Sequence, residues 1–149
     1  NAERAALIGL YHDASEIITG DMPTPVKYFN SNIKNAYKDV EAVAENNLVS
    51  RLPEDLQPTY EAIFSGSDDD ENDKYMRRLV KAADKLSALI KCIEEEKSGN
   101  TEFRTAKAST SASVRKMSES LPEVAVFTSE FLPPYGSTLD ELSQPGSQK

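Results

Sequence analysis

Residues 71–97 read ENDKYMRRLVKAADKLSALIKCIEEEK. Met76, Leu79, Val80, Ala83, Leu86, Leu89, Ile90 and Ile93 recur every three or four positions, which places them on one apolar stripe of a long helix. Acidic residues at its start favour the positive end of the helix, and Ser98-Gly99-Asn100 ends it. Ala82, Ala83, Ser87 and Ala88 are small enough to admit a second helix closely, and Asp84 interrupts the stripe among them.

Upstream the same period continues. Leu52-Pro53-Glu54-Asp55-Leu56 opens a short helix, with Pro in its first turn, that reaches about Phe64. A long helix over 28–50 carries Ile33, Ala36, Tyr37, Val40, Val43, Ala44 and Leu48 on one face and Lys34, Lys38, Asp39, Glu41 and Glu45 on the other. Residues 2–19 read as one helix, with Leu7, Leu10, Tyr11, Ala14, Ile17 and Ile18 in register. Gly20 stands where a left-handed C-terminal cap belongs, and Asp21-Met22-Pro23-Thr24-Pro25 is a loop stiffened by two prolines. Downstream, a weaker helix covers 101–120, with Phe103, Ala106, Val114 and Met117 turned inward, and Pro122 restarts a helix to about Phe131. Pro133-Pro134-Tyr135-Gly136 breaks it, and Thr138-Leu139-Asp140-Glu141 has the spacing of a capping box. Nothing alternates like a strand, so the fold class is all-α, a helical bundle forming a single domain over 1–143, with 144–149 a disordered tail.

The 149 residues hold 17 Lys plus Arg against 25 Asp plus Glu, a net charge of −8. Such a surface repels a polyanion, which argues against a nucleic-acid polymer as partner. It leaves room for a small phosphate ester bound through a metal. No apolar run approaches the roughly 18 residues of a membrane span. The single cysteine, Cys92, forms no internal disulfide and fits a reducing cytoplasm. Asn1 leads at once into helical rhythm, which predicts that these residues are the later part of a longer chain.

The chemistry concentrates at the end of the first helix. His12 is the only histidine, Asp13 follows it, and Glu16 lies at i+4 from His12 on the same helix face. A lone histidine in a helix is in most proteins a surface or satisfied core residue, and a mid-helix Asp such as Asp84 is usually a boundary residue. Here the polar groups sit in an apolar helix, where an unpaired charge is costly, and a rigid Asp-x-Pro-x-Pro loop follows directly. Imidazole plus carboxylate suits a divalent transition metal, which acidifies water and offsets phosphate charge. Asp68 to Asp73 reads as a solvated helix start. It is not a calcium loop, because Asp73 stands where a glycine is needed and Leu79 where a glutamate is needed.

Residues 11–16, Tyr-His-Asp-Ala-Ser-Glu, and 19–28, Thr-Gly-Asp-Met-Pro-Thr-Pro-Val-Lys-Tyr, resemble the bacterial HD-domain 5′-deoxynucleotidases (YfbR-like). Lys81-Ala82-Ala83-Asp84-Lys85-Leu86 is similar to the segment carrying that family's last metal ligand, and the resemblance runs from residue 1 to about 143. It implies a helical phosphohydrolase that removes the 5′-phosphate from deoxyribonucleoside 5′-monophosphates. It also implies a divalent cation (cobalt, manganese or copper) and a cytoplasmic homodimer. In this sequence the implied metal ligands are His12, Asp13 and Asp84, and the implied catalytic carboxylate is Glu16. The implied substrate contacts are Asp13, Asp21, Met22, Pro23, Thr24 and Asp84, with Asp21 accepting from the sugar hydroxyl. The family's first His ligand, and the Arg-Trp pair that tells deoxyribose from ribose, lie upstream and have no counterpart in a chain with one His and no Trp. Two other readings compete: an HD phosphohydrolase acting on another phosphate ester or a cyclic nucleotide, and a non-catalytic helical interaction module.

Overall fold

The computed structural model describes residues 1–66 and 70–143, apart from the side chains of Thr24 and Leu139. The chain divides into two compact units, Asn1–Arg77 and Arg78 onward. Among the described residues every regular element is helical, as the periodicity predicts. None of these helices is long and apolar enough to cross a membrane. The proposed tail, 144–149, and Asp68 and Asp69 of the acidic run lie outside the described residues.

The first unit holds α1 (Ala2–Tyr11), α2 (Glu16–Thr19), α3 (Thr24–Lys27), α4 (Ser31–Val49), α5 (Gln57–Phe64) and the first turns of α6 (Glu71–Lys97). α5 packs against both α1 and α4, and α2 and α3 pack on α4. Asn1 caps α1 through the Arg4 amide and Asn30 caps α4 through the Ile33 amide. α6 has the bounds read from its pattern. α5 starts later than Pro53 suggests, because 51–56 form turns and Pro58 takes the first-turn position. The helix expected over 2–19 is broken. From His12 to Ser15 the chain tightens into turns with i to i+3 bonds (Ala14 to Tyr11, Glu16 to Asp13, Ile17 to Ala14) before α2 resumes.

α4 is rotated relative to its apolar pattern. Tyr37, Ala44 and Val49 are buried, while Val40 and Val43 are 52% and 61% exposed. The inner face instead takes Glu41 and Glu45, both half-buried. On that face Lys27 of α3 bonds Glu41 at 2.8 Å.

Asp73 departs most from the expected solvated helix start, being 4% exposed. Arg4 reaches it from α1 at 2.8 Å through Nε and Arg77 from one turn on in α6 at 2.8 Å. The two guanidinium groups also donate to the last carbonyls of α5, Arg4 to Ala62 at 2.6 Å and Arg77 to Ile63 and Phe64 at 2.8 and 3.0 Å. Those carbonyls have no partner inside α5 and form its negative end, so one buried carboxylate and two cations tie three helices together. Gly66 follows at φ +71°, and a Cβ there would overlap the Arg77 guanidinium and the Asp73 carboxylate.

The second unit holds the rest of α6, then α7 (Arg104–Ser118) and α8 (Pro122–Val126), which pack on each other. A π-helical turn (Phe127–Phe131), a 3-10 turn (Pro133–Gly136) and α9 (Leu139–Leu142) complete it. Val80, Ala82, Leu86, Leu89, Cys92, Val114, Leu121 and Val124 are buried. Ala82 rather than Ala83 turns inward, Ala106 is exposed, and the helix expected to Phe131 widens after Val126. The capping box is present: the Thr138 amide donates to Glu141 at 2.7 Å and the Glu141 amide to the Thr138 hydroxyl at 3.3 Å.

Candidate active site

The turn at 12–15 separates α1 from α2 and sets the side chains of the predicted site. His12 Nδ1 lies 2.7 Å from the Gly9 carbonyl, which can only accept, so this nitrogen carries the proton. The other nitrogen, Nε2, lies 3.1 Å from Asp13 Oδ2. Without a proton, Nε2 presents a lone pair beside a carboxylate oxygen; with one, it forms an ion pair with Asp13. Two donors at that separation match neighbouring ligands of one cation with bonds near about 2.0–2.2 Å. A backbone carbonyl on the remote ring nitrogen is also the usual support of a ligating histidine. The donor set therefore fits a divalent metal with His12 and Asp13 as a two-donor bite. Among the described residues no group of three or more His, Cys, Asp or Glu is assembled to hold a metal.

His12 and Asp13 are solvent-exposed rather than embedded in an apolar helix, because the turn lifts them off the packed face. The same turn changes the partner of Glu16. With three residues per turn, i and i+3 eclipse, so Asp13 replaces His12 as its neighbour along the chain. Glu16 is half-buried. Burial pushes its carboxyl above the ordinary range, the charges of Asp13, Asp21 and Glu41 add to this, and Lys27 opposes it.

Gly20 ends α2 at φ 71° and ψ 164°. The positive φ expected of the cap is present, but ψ is extended, in a region open essentially to glycine alone. Asp21 and Pro23 are exposed and Met22 is half-buried. The expected loop is shorter than predicted, because α3 begins at Thr24, whose side chain lies outside the described residues, and the Val26 and Lys27 amides both bond the Pro23 carbonyl at 2.8 and 3.0 Å. Behind this segment stands a group that the sequence pattern does not single out. Tyr37 donates to the Gly20 carbonyl at 3.0 Å, and Lys27 lies 4.7 Å from the centre of the Tyr37 ring. Their signal in the sequence is faint: a tyrosine on the apolar face of α4 and a lysine directly after the proline loop. Asp84 is an exposed residue of α6 in the second unit. A cleft of about 410 Å³ in that unit, lined by Glu94, Lys97, Ser98, Pro134, Tyr135 and Ser137, contains none of the predicted site residues.

A model of the family described as 5′-deoxynucleotidase YfbR-like matches residues 1–135. A 5′-deoxynucleotidase of Pectobacterium atrosepticum is 44% identical over 144 residues, covering 97% of this chain and 70% of that protein. The 5′-deoxynucleotidase YfbR of Escherichia coli has the same identity and coverage, and a 5′-deoxynucleotidase of Erwinia tasmaniensis is 42% identical over 144 residues. With the match spanning nearly all of it, the chain belongs to the YfbR-like 5′-deoxynucleotidase family.

Proposed function

We propose that this protein is a metal-dependent 5′-deoxynucleotidase that releases phosphate from deoxyribonucleoside 5′-monophosphates. The observation that carries the reading is the His12–Asp13 pair, with Glu16 one turn on, in a chain 44% identical to enzymes of that name. His12 and Asp13 would hold the cation, and Asp84 is the further ligand that the family resemblance assigns. A divalent cation, when bound, offsets the charge of the phosphate and acidifies water. This is what a chain of net charge −8 needs in order to receive an anion. Cobalt, manganese and copper are the candidates.

The chain's own groups have separate tasks. Gly9 holds His12 in one tautomer. Glu16, its carboxyl raised by burial, takes the proton of the attacking water or delivers it to the departing 5′ oxygen. Asp21 accepts from the sugar hydroxyl, and Met22, Pro23 and Thr24 line the nucleotide. We also infer a homodimer. Its support is the apolar surface around the site, where Leu10 and Ile17 are 73% and 81% exposed. The free, buried Cys92 supports a cytoplasmic location.

The test is metal and turnover together. Purified protein should bind manganese or cobalt with Asp13→Ala and Asp84→Ala each weakening binding, and should release phosphate from dAMP. Metal binding without dAMP cleavage, alongside cleavage of a cyclic nucleotide or another ester, would move the assignment to that substrate. Neither binding nor cleavage would leave an interaction module.

A further inference from the structure

The segment that the proposed function assigns to the nucleotide is short: Gly20 to Pro23, between α2 and α3. Both of its ends are tied to one residue of α4. At the start, the Gly20 carbonyl receives the Tyr37 hydroxyl at 3.0 Å, and the Thr19 hydroxyl also reaches that carbonyl at 2.9 Å. At the far end, α3 closes on Lys27, whose ammonium sits 4.7 Å from the Tyr37 ring centre and bonds Glu41 at 2.8 Å, one turn further along α4. Tyr37 is 6% exposed, so its ring has little freedom to move. Lys27 is restrained from two sides, by a carboxylate and by an aromatic face.

We propose that Tyr37, with the Lys27–Glu41 pair locking its ring, is a positioning residue that fixes the Gly20–Pro23 segment for nucleotide binding. The hydroxyl sets where the segment leaves α2, and the lysine sets where it enters α3. Asp21, between those fixed points, is thereby placed before the sugar arrives, which spares an ordering cost on binding. None of the three side chains needs to touch the substrate or the metal. The inference rests on the nucleotidase reading, since it takes that segment to be the nucleotide's seat.

Three variants of the full chain, assayed on dAMP with manganese added, test it. Tyr37→Phe removes one hydroxyl and keeps the ring. It should raise KM about three- to tenfold, the worth of one neutral hydrogen bond, with kcat little changed. Glu41→Gln should move KM the same way by releasing Lys27. Lys27→Arg should retain function, because a guanidinium keeps both the ion pair and the ring contact. Amide exchange should quicken at Val26 and Lys27 in Tyr37→Phe and stay unchanged in α7. An unaltered KM, or kcat falling together with global stability while KM holds, overturns the positioning role even where the parent enzyme is active. A parent protein that binds manganese but does not cleave dAMP overturns the nucleotidase reading first, and this inference with it.

Discussion

Glu16 and Asp73 are both carboxylates within a turn of a helix start, and their surroundings send them in opposite directions. Burial and neighbouring negative charge raise Glu16. Glu16→Gln keeps the shape and removes the proton acceptor. It should leave cobalt binding intact while lowering kcat about 10²- to 10⁴-fold. Loss of cobalt in titration calorimetry would instead make Glu16 a ligand. At Asp73 burial also pushes the carboxyl up, but the hydrogen bonds from Arg77 and Arg4 outweigh it and hold the group below its ordinary value. A carboxyl lowered in the folded state contributes stability that is complete above its unfolded value, about 3.9, and is lost as pH falls through the folded value. Acid unfolding of the parent should therefore gain part of its steepness below pH about 4, and Asp73→Asn should flatten it. The same variant should cost about 3 kcal/mol at neutral pH in urea, the low end for one lost partner of a buried pair, because both arginines keep some solvent. Glu16 stands out in the sequence through its neighbours in the chain. The burial of Asp73 is not legible there: its i+4 spacing to Arg77 fits an exposed pair equally well, and its other partner, Arg4, lies 69 residues away.

Among the elements, α6 and the capping box at Thr138 were legible because their signals are local: an unbroken period, a stop at Ser98-Gly99, and a side chain reaching back three residues. The broken helix at 12–15 was not, since its residues carry no Pro or Gly and its apolar positions still fit a continuous helix. The buried face of α4 was not legible, because which side of a helix turns inward is set by its tertiary neighbours: Glu41 faces Lys27 of α3 while Val40 is exposed. Gly20 and Gly66 differ in what an added methyl would meet. Gly20 has open space around its missing side chain, so Gly20→Ala should cost only backbone strain, about 1–3 kcal/mol, seen as a lower melting temperature together with a raised KM for nucleotide. At Gly66 the added methyl also meets the Arg77–Asp73 pair. Gly66→Ala should therefore be the more destabilising of the two in chemical denaturation, with KM unaffected.

For the whole molecule, class and family were legible and assembly was not. The all-α class follows from the period of the apolar residues, and the family from the block at residues 11–28, which the match across 97% of the chain supports. The proposed homodimer would cover exposed apolar side chains such as Leu10 and Ile17, and no single-chain pattern reveals such covering. A homodimer predicts twice the monomer mass by light scattering, falling toward the monomer when Ile17→Asp is introduced. The net charge of −8 makes the proposed cation the point to test, because a bound cation would offset the repulsion of a phosphate ester. The most direct measurement is phosphate release from dAMP and AMP by this chain with manganese or cobalt added, beside an Asp13→Ala control. Metal-dependent cleavage of dAMP is expected, stopped by chelation and absent from the control. Cleavage that persists in Asp13→Ala, or silence on dAMP by a metal-loaded protein, would contradict the proposed function.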